Sequence, residues 1–237
     1  MSVRGNFLID NWNFKRESIL QDLPSRDLQL LLAHTSEEVY KKGEIVFREG
    51  SYPLGIFYIV EGKVKKYKME KGGRQRIIYI AKSGELIGYH AVLSNDRYSV
   101  AAATLEASRI IFISREDFSD AIQQSSVLAQ RLLQALSHEF AVMCNNLSAF
   151  TSKTVRQRLA IHLLLLTEKY KTDGKSGQST EILIGREDLA SVVGTARENV
   201  IRLLTEFKEA GILQTKGTRI TILDMSQLIA IASSWVK

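Results

Sequence analysis

Residues 186–207 read REDLASVVGTARENVIRLLTEF, and no other stretch of the chain restricts the fold as tightly. Leu189 and Val193, then Val200, Leu203, Leu204 and Phe207, recur at helical spacing on either side of one glycine, Gly194. Spacing of i, i+3, i+4 and i+7 gives each segment a single apolar face, and two segments this short can share one small core. Ala190 is small enough to let the second helix cross closely. Gly194 supplies the positive φ that a helix end often needs. Thr195 and Glu198 then have the T-x-x-E spacing of a capping box. The break reads as the corner of a helix-turn-helix, although an αα corner with a purely structural role satisfies the same pattern.

With Val200 and Leu203 turned inward, Arg197, Glu198, Ile201 and Arg202 project from the first turns of the second helix, predicted over 197–209. A helix end in the major groove meets base edges with such positions. An arginine donates two parallel bonds to guanine O6 and N7, and a glutamate accepts from cytosine N4. The alternative is a solvated face on which Glu198 and Arg202, four apart, form an ion pair; DNA would compete with that pair. ILQTKGTRITIL (212–223) reads as a hairpin that follows the helix, a wing with Lys216 and Arg219 near phosphates. Residues 151–237 hold 13 Lys and Arg against 9 Asp and Glu, so most of the chain's net +6 lies in this part, where a phosphate backbone would be met.

The rest of the chain has other textures. Residues 14–40 read as helical, with Leu23, Leu28, Leu31 and Leu32 as the apolar set. From 41 to 113 short β-rich runs (EIVFREG, IFYIVEG, KVKKYKME, RQRIIYIAKSG, RIIFIS) alternate with glycines, the mark of a sandwich or barrel. Gly72–Gly73 is placed for a hairpin turn. From about 116 the texture is helical again. Leu128, Leu132, Leu136, Phe140, Met143, Leu147 and Phe150 follow steps of four and three, a narrow stripe that either packs on its own domain or pairs two chains. Its regularity favours pairing, with Leu128, Leu132, Leu136, Phe140, Met143 and Leu147 as the dimer interface. A second helix is expected over 152–170, a loop over 171–179, a strand in TEILI (180–184) and a last helix over 225–235.

One cysteine, Cys144, excludes an intrachain disulfide and a multi-cysteine metal or iron–sulfur site within one chain. It reads as a small buried hydrophobe on the long helix. The N-terminus lacks the apolar core of a signal peptide, and LAIHLLLL (159–166) is too short to span a bilayer, so a cytoplasmic protein without membrane contact is expected. No nucleophile–base pair, carboxylate pair, P-loop or metal-ligand spacing supports an enzyme.

Taken together, the glycine-punctuated β region, GELIG (84–88), the long helix and TARENVIRLL (195–204) resemble the Crp/Fnr superfamily of bacterial transcription regulators. The resemblance covers nearly the whole chain. It implies an α+β fold: a double-stranded, jelly-roll-like β-helix sensor over 1–115, a dimerisation helix over 116–150, and a winged helix-turn-helix over 151–237. It also implies a homodimer that binds double-stranded DNA and meets RNA polymerase. The cyclic-AMP-responsive branch reads TGTGA-like half-sites with an Arg-Glu pair and an arginine four residues beyond the glutamate. Arg197, Glu198 and Arg202 match, with Thr195 beside them, while Ile201 replaces a glycine and is suited to a thymine methyl.

The sensor departs from that branch. GELIG resembles the start of the phosphate-binding cassette, but Tyr89 stands where a ribose-holding glutamate follows. Tyr98 and Ser99 occupy the places of the Arg-Ser pair that holds the cyclic phosphate, and Arg97 is one residue off, on the opposite face of a regular strand. This argues against cyclic AMP bound in the family's usual way. Gly84, Glu85, Gly88, Tyr89, His90, Arg97, Tyr98 and Ser99 then either line a pocket for another small-molecule effector or fill it; neither metal nor cofactor is assigned. The rival function is a β-roll ligand-binding module that regulates a partner protein without reading DNA.

Overall fold

The computed structural model describes residues 7–14, 19–171 and 180–233. The chain divides into two compact units, one spanning Phe14–Glu139 and one spanning Phe140–Lys237 with Met1–Asn13.

The first unit is a β-roll of two four-stranded antiparallel sheets. Its strands are β1 (Thr35–Tyr40), β2 (Ile45–Phe47), β3 (Gly55–Glu61), β4 (Lys63–Met69), β5 (Gln75–Lys82), β6 (Leu86–Ile87), β7 (Ala101–Thr104) and β8 (Ser108–Ser114). One sheet runs β1-β8-β3-β6 and the other β2-β7-β4-β5. Ile56, Ile59, Val64, Ala81, Leu86, Ile87 and Ile113 are fully buried, as expected of the apolar runs in these strands. The expected turn at Gly72–Gly73 joins β4 to β5; both glycines have positive φ, and the Glu70 N–H donates to the Arg74 carbonyl at 2.8 Å.

Three readings of this region need correction. Residues 35–40 form strand β1 rather than the end of a helix, and helix α1 is confined to Ser25–Leu31. The side chains of β1 are nearly all exposed, so no burial pattern marks it in the sequence. The ladder to β8, from Thr35↔Ile113 to Tyr40↔Ser108, is what holds it. A short helix α2 (Tyr89–Ser94) follows β6, and the helical region from 115 is two helices, α3 (Arg115–Gln124) and α4 (Ser126–Ser152). The break falls at Ser125, whose hydroxyl accepts from the Leu128 N–H at 3.0 Å and donates to Asp27 at 2.6 Å. A side-chain cap of this kind ends one helix and starts another without glycine or proline.

The second unit is a winged helix-turn-helix. It contains α5 (Val155–Tyr170), β9 (Glu181–Leu183), α6 (Arg186–Val193), α7 (Arg197–Glu209), β10 (Leu213–Lys216), β11 (Arg219–Ile222) and α8 (Met225–Ser233). Its antiparallel sheet has the order β10-β11-β9. Thr154 starts α5 with a capping box: its hydroxyl accepts from the Gln157 N–H, and the Gln157 side chain accepts from the Thr154 N–H. Leu159, Ala160, Leu163 and Leu164 of α5 are fully buried, and α8 packs against this helix. Of the loop expected at 171–179, residues 172–179 lie outside the described residues, as do 234 and 235 of the last helix. No described helix is long and apolar enough to cross a membrane.

The apolar stripe of α4 divides. Leu128 and Leu132 are buried in the sensor unit's own core with Phe118, Tyr89, Ile113 and Leu31, and Leu136 packs against that cluster. All three were expected at a dimer interface; Leu128 and Leu132 are taken up by the chain's own core, while Leu136 is only partly buried. Phe140 is 73% exposed, Leu147 70% and Met143 45%. Cys144 is exposed, not buried.

Candidate nucleic-acid interface and sensor site

The α6–α7 corner is built as its apolar pattern requires. Leu189, Val193, Val200 and Phe207 are fully buried, with Ala190, Leu203 and Leu204 at 3% exposure. Gly194 ends α6 at φ +74°, a left-handed conformation that costs a residue with a Cβ roughly 1–2 kcal/mol. The capping box does not form. Helix α7 starts one residue later than its spacing implies, with Ala196 at the N-cap and no side-chain cap; the Thr195 hydroxyl instead accepts from Asn199 Nδ2 at 3.0 Å. A one-residue shift moves Glu198 from the third to the second helical position, where it cannot close the box.

That shift leaves the outward face intact. Arg197, Glu198, Ile201 and Arg202 are all exposed, on a helix whose opposite face is buried. Arg197 and Glu198 make no side-chain hydrogen bond or ion pair among the described residues, and neither does Lys216 near the wing turn. Arg202 is paired, but with Glu206 rather than with Glu198. Glu206 also accepts from Arg156 Nη1 of α5 at 3.0 Å, and the Arg156 guanidinium lies over the Phe207 ring at 4.9 Å. Arg219 donates across the sheet to Glu181 at 3.0 Å.

Two arginines that sequence reasoning missed hold this surface. Arg158 of α5 donates through Nε to the Val193 carbonyl at 3.1 Å, through Nη2 to that of Gly194 at 3.3 Å, and through Nη1 to that of Lys153 at 2.9 Å. Its guanidinium lies 5.2 Å from the Phe150 ring centre. One planar fork thus ties the helix-turn-helix corner to the start of α5. Arg186, the first residue of α6, donates Nη2 to the Gly217 carbonyl at 2.9 Å and so braces the wing turn. Burial lowers its pKa. Neither role leaves a sequence signal, because the acceptors are backbone carbonyls, those of Val193, Gly194 and Gly217 more than thirty residues along the chain.

In the sensor unit, the residues read as one pocket divide into three groups. Tyr98 is buried, stacked on Phe47 with ring centres 4.2 Å apart, and donates its hydroxyl to the Gly55 carbonyl at 2.7 Å. Phe47 stacks on Phe57, which meets Phe112, so Tyr98 is part of an aromatic cluster that fills this place rather than lining a pocket. Burial raises the Tyr98 hydroxyl pKa to about 12. The Tyr98 backbone is paired with Gly50 and Ser51, and neighbours in an extended chain point to opposite sides. Arg97 and Ser99 are accordingly exposed, with Arg97 Nη1 donating to the Gly50 carbonyl at 2.9 Å.

Glu85 forms the second group. It is fully buried and accepts from the Tyr79 hydroxyl at 2.5 Å, which makes it part of the roll's interior. Gly84 and Gly88, on either side of β6, have positive φ, and Gly88 caps α2. The third group is directed at α4. Tyr89 is fully buried and donates to Glu139, and His90 Nε2 lies 2.7 Å from the other oxygen of the same carboxylate. Tyr89 and His90 therefore fasten the start of α2 to the long helix.

A cyclic nucleotide-binding domain model matches residues 37–125 and a Crp-like helix-turn-helix domain model matches residues 157–231. The transcriptional activator protein anr of Pseudomonas aeruginosa is 28% identical over 193 residues, 81% of this chain and 78% of its own length. The cyclic AMP receptor protein of Thermus thermophilus is 24% identical over 218 residues, 92% of this chain and 98% of its own. Among solved structures, FixK2 from Bradyrhizobium japonicum aligns over 86% of this chain and all of its own with a TM-score of 0.73 at 20% identity, a likeness of fold. With a roll, a long helix and a winged corner matching in the same order, the chain belongs to the Crp/Fnr family.

Proposed function

We propose that the protein is a homodimeric, sequence-specific transcription regulator that reads a near-palindromic, TGTGA-like DNA site through α7. One observation carries the reading: Arg197, Glu198, Ile201 and Arg202 are exposed on one side of a helix whose other side is fully packed. Arg197 and Arg202 supply guanine contacts, Glu198 a cytosine contact and Ile201 a methyl contact. Thr195, Lys216 and Arg219 hold phosphates. The exposed side chains of Phe140, Met143 and Leu147 support pairing through α4, and two copies place two α7 helices in successive major grooves, roughly 34 Å apart. The names of the relatives point the same way, and family membership extends the reading to RNA polymerase as a partner and to the cytoplasm.

Any effector acts by a contact other than an arginine clamp on a cyclic phosphate, since Tyr98 fills that place. Selection of duplexes from a random library by the purified full chain tests the reading. A palindromic motif with two equivalent halves is expected; recovery of unrelated sequences, with or without small-molecule cell extract, would overturn it and favour a module that acts through a partner protein.

A further inference from the structure

The Glu206 carboxylate stands between two guanidinium groups, Arg202 on the reading face of α7 and Arg156 on α5. Arg156 is itself fixed by its place over the Phe207 ring, and Phe207 is fully buried. The result is a chain from the core outward: Phe207, Arg156, Glu206, Arg202. We propose that Glu206 is a specificity-determining residue that acts through Arg202, a proposal that rests on the DNA-reading role of α7.

Arginine has five N–H donors in a rigid fork. Glu206 engages Nη1 of Arg202, which leaves the remaining donors of the fork for a base edge. An unheld arginine on a long stem is free to find phosphate oxygens, which offer the same bidentate geometry on any sequence. The neighbouring carboxylate opposes that choice, because it repels a phosphate brought up to the same guanidinium. A guanine edge carries partial charges only and suffers less. Glu206 therefore withholds Arg202 from sequence-independent contacts and keeps it available for sequence-dependent ones. The pair contributes little to folding, as exposed ion pairs do; its effect is on which target is preferred.

The test compares Glu206→Gln with Glu209→Gln, which removes one negative charge from the same helix at a residue with no ion pair among the described residues. Affinity is measured for the library-selected site and for random duplex over a range of salt. Glu206→Gln is expected to reduce the selected-to-random ratio roughly tenfold, the scale of one base contact, and to steepen the salt slope on random DNA by about one phosphate's worth. Glu209→Gln should strengthen both targets alike and leave the ratio unchanged. Arg156→Gln should lower the ratio in the direction of Glu206→Gln. If the ratio is the same in Glu206→Gln and wild type, or if Glu209→Gln lowers it equally, the proposal is wrong.

A second measurement needs no DNA. One of the Arg202 Nη–Hη signals in the low-temperature NMR spectrum of the free protein, assigned by their loss in Arg202→Lys, should exchange slowly with water in wild type and quickly in Glu206→Gln, because Glu206 accepts from Nη1. Fast exchange in both would also overturn the proposal. If the wild-type protein selects no DNA site while this difference is present, the ion bridge stands and the DNA-reading role fails.

Discussion

Tyr98 shows how one side chain settles what a site can hold. Its ring packs on Phe47 and its hydroxyl is bonded to the Gly55 carbonyl, so Tyr98→Phe should destabilise the sensor unit at neutral pH by about 1 kcal/mol. The pH dependence has a definite sign. Burial raises the hydroxyl's pKa from 10.0 to about 12. The folded state therefore favours the neutral phenol, and the stability that Tyr98 contributes below pH 10 is lost as pH rises through this window. Urea titrations should show the wild-type advantage over Tyr98→Phe shrinking as pH rises from 10 towards 12; a constant gap would place the hydroxyl in water. The resemblance set Tyr98 at the arginine's place as an expectation and left two outcomes open, lining or filling. The aromatic partners that decide between them, Phe47 and Phe57, lie on β2 and β3, and no spacing rule joins them to residue 98. Arg158 was still less legible, because its three acceptors are backbone carbonyls. Arg158→Ala should lower the melting temperature of the helix-turn-helix unit, at a cost of roughly 1–3 kcal/mol, and Arg158→Lys should recover little, since an ammonium cannot span three carbonyls.

At the scale of elements, the corner between α6 and α7 was legible almost in full. Seven apolar positions and one glycine fix two faces and a turn, and all are placed as the pattern requires. What the pattern missed is the cap of α7: the helix spans 197–209 as expected, but helix periodicity does not mark how a terminus is closed, and the T-x-x-E spacing suggested a box that forms only if the helix starts one residue earlier. Gly194→Ala should destabilise this unit by about 1–2 kcal/mol, from the left-handed backbone alone, as read by thermal unfolding. The stripe on α4 was legible as a stripe but not as two halves. Leu128 and Leu132 obey the same period as Phe140 and Leu147, and only the core around Phe118 and Tyr89 separates the buried from the exposed. The exposed half makes a separate prediction. Phe140→Glu with Leu147→Glu should convert a dimer to a monomer in sedimentation equilibrium while the far-UV spectrum is kept. A wild-type monomer at micromolar concentration, or a dimer unaffected by both charges, would remove α4 as the pairing element.

At the scale of the whole molecule, the order of textures in the chain, glycine-cut strands, then a long helix, then a broken pair of helices and a hairpin, was enough to give the architecture. Strands with exposed side chains, such as β1, and the helix break at Ser125, whose hydroxyl is held by the distant Asp27, were not visible, because their partners are set by tertiary contact. Most of the positive charge excess falls in residues 151–237, and among the described residues Arg197 and Lys216 are exposed there without an ion pair. The two make different demands on DNA: one should read a base, the other a phosphate. The most direct measurement is a titration of wild type, Arg197→Ala and Lys216→Ala against the selected duplex and its single-base-pair variants, repeated over salt. Arg197→Ala should lose preference at one base pair, roughly 1–3 kcal/mol, and bind random duplex almost as wild type does. Lys216→Ala should weaken every duplex alike and lower the salt slope by about 1. If Arg197→Ala instead weakens all duplexes alike, with a fall in salt slope like that of Lys216→Ala, α7 does not read bases and the account is contradicted.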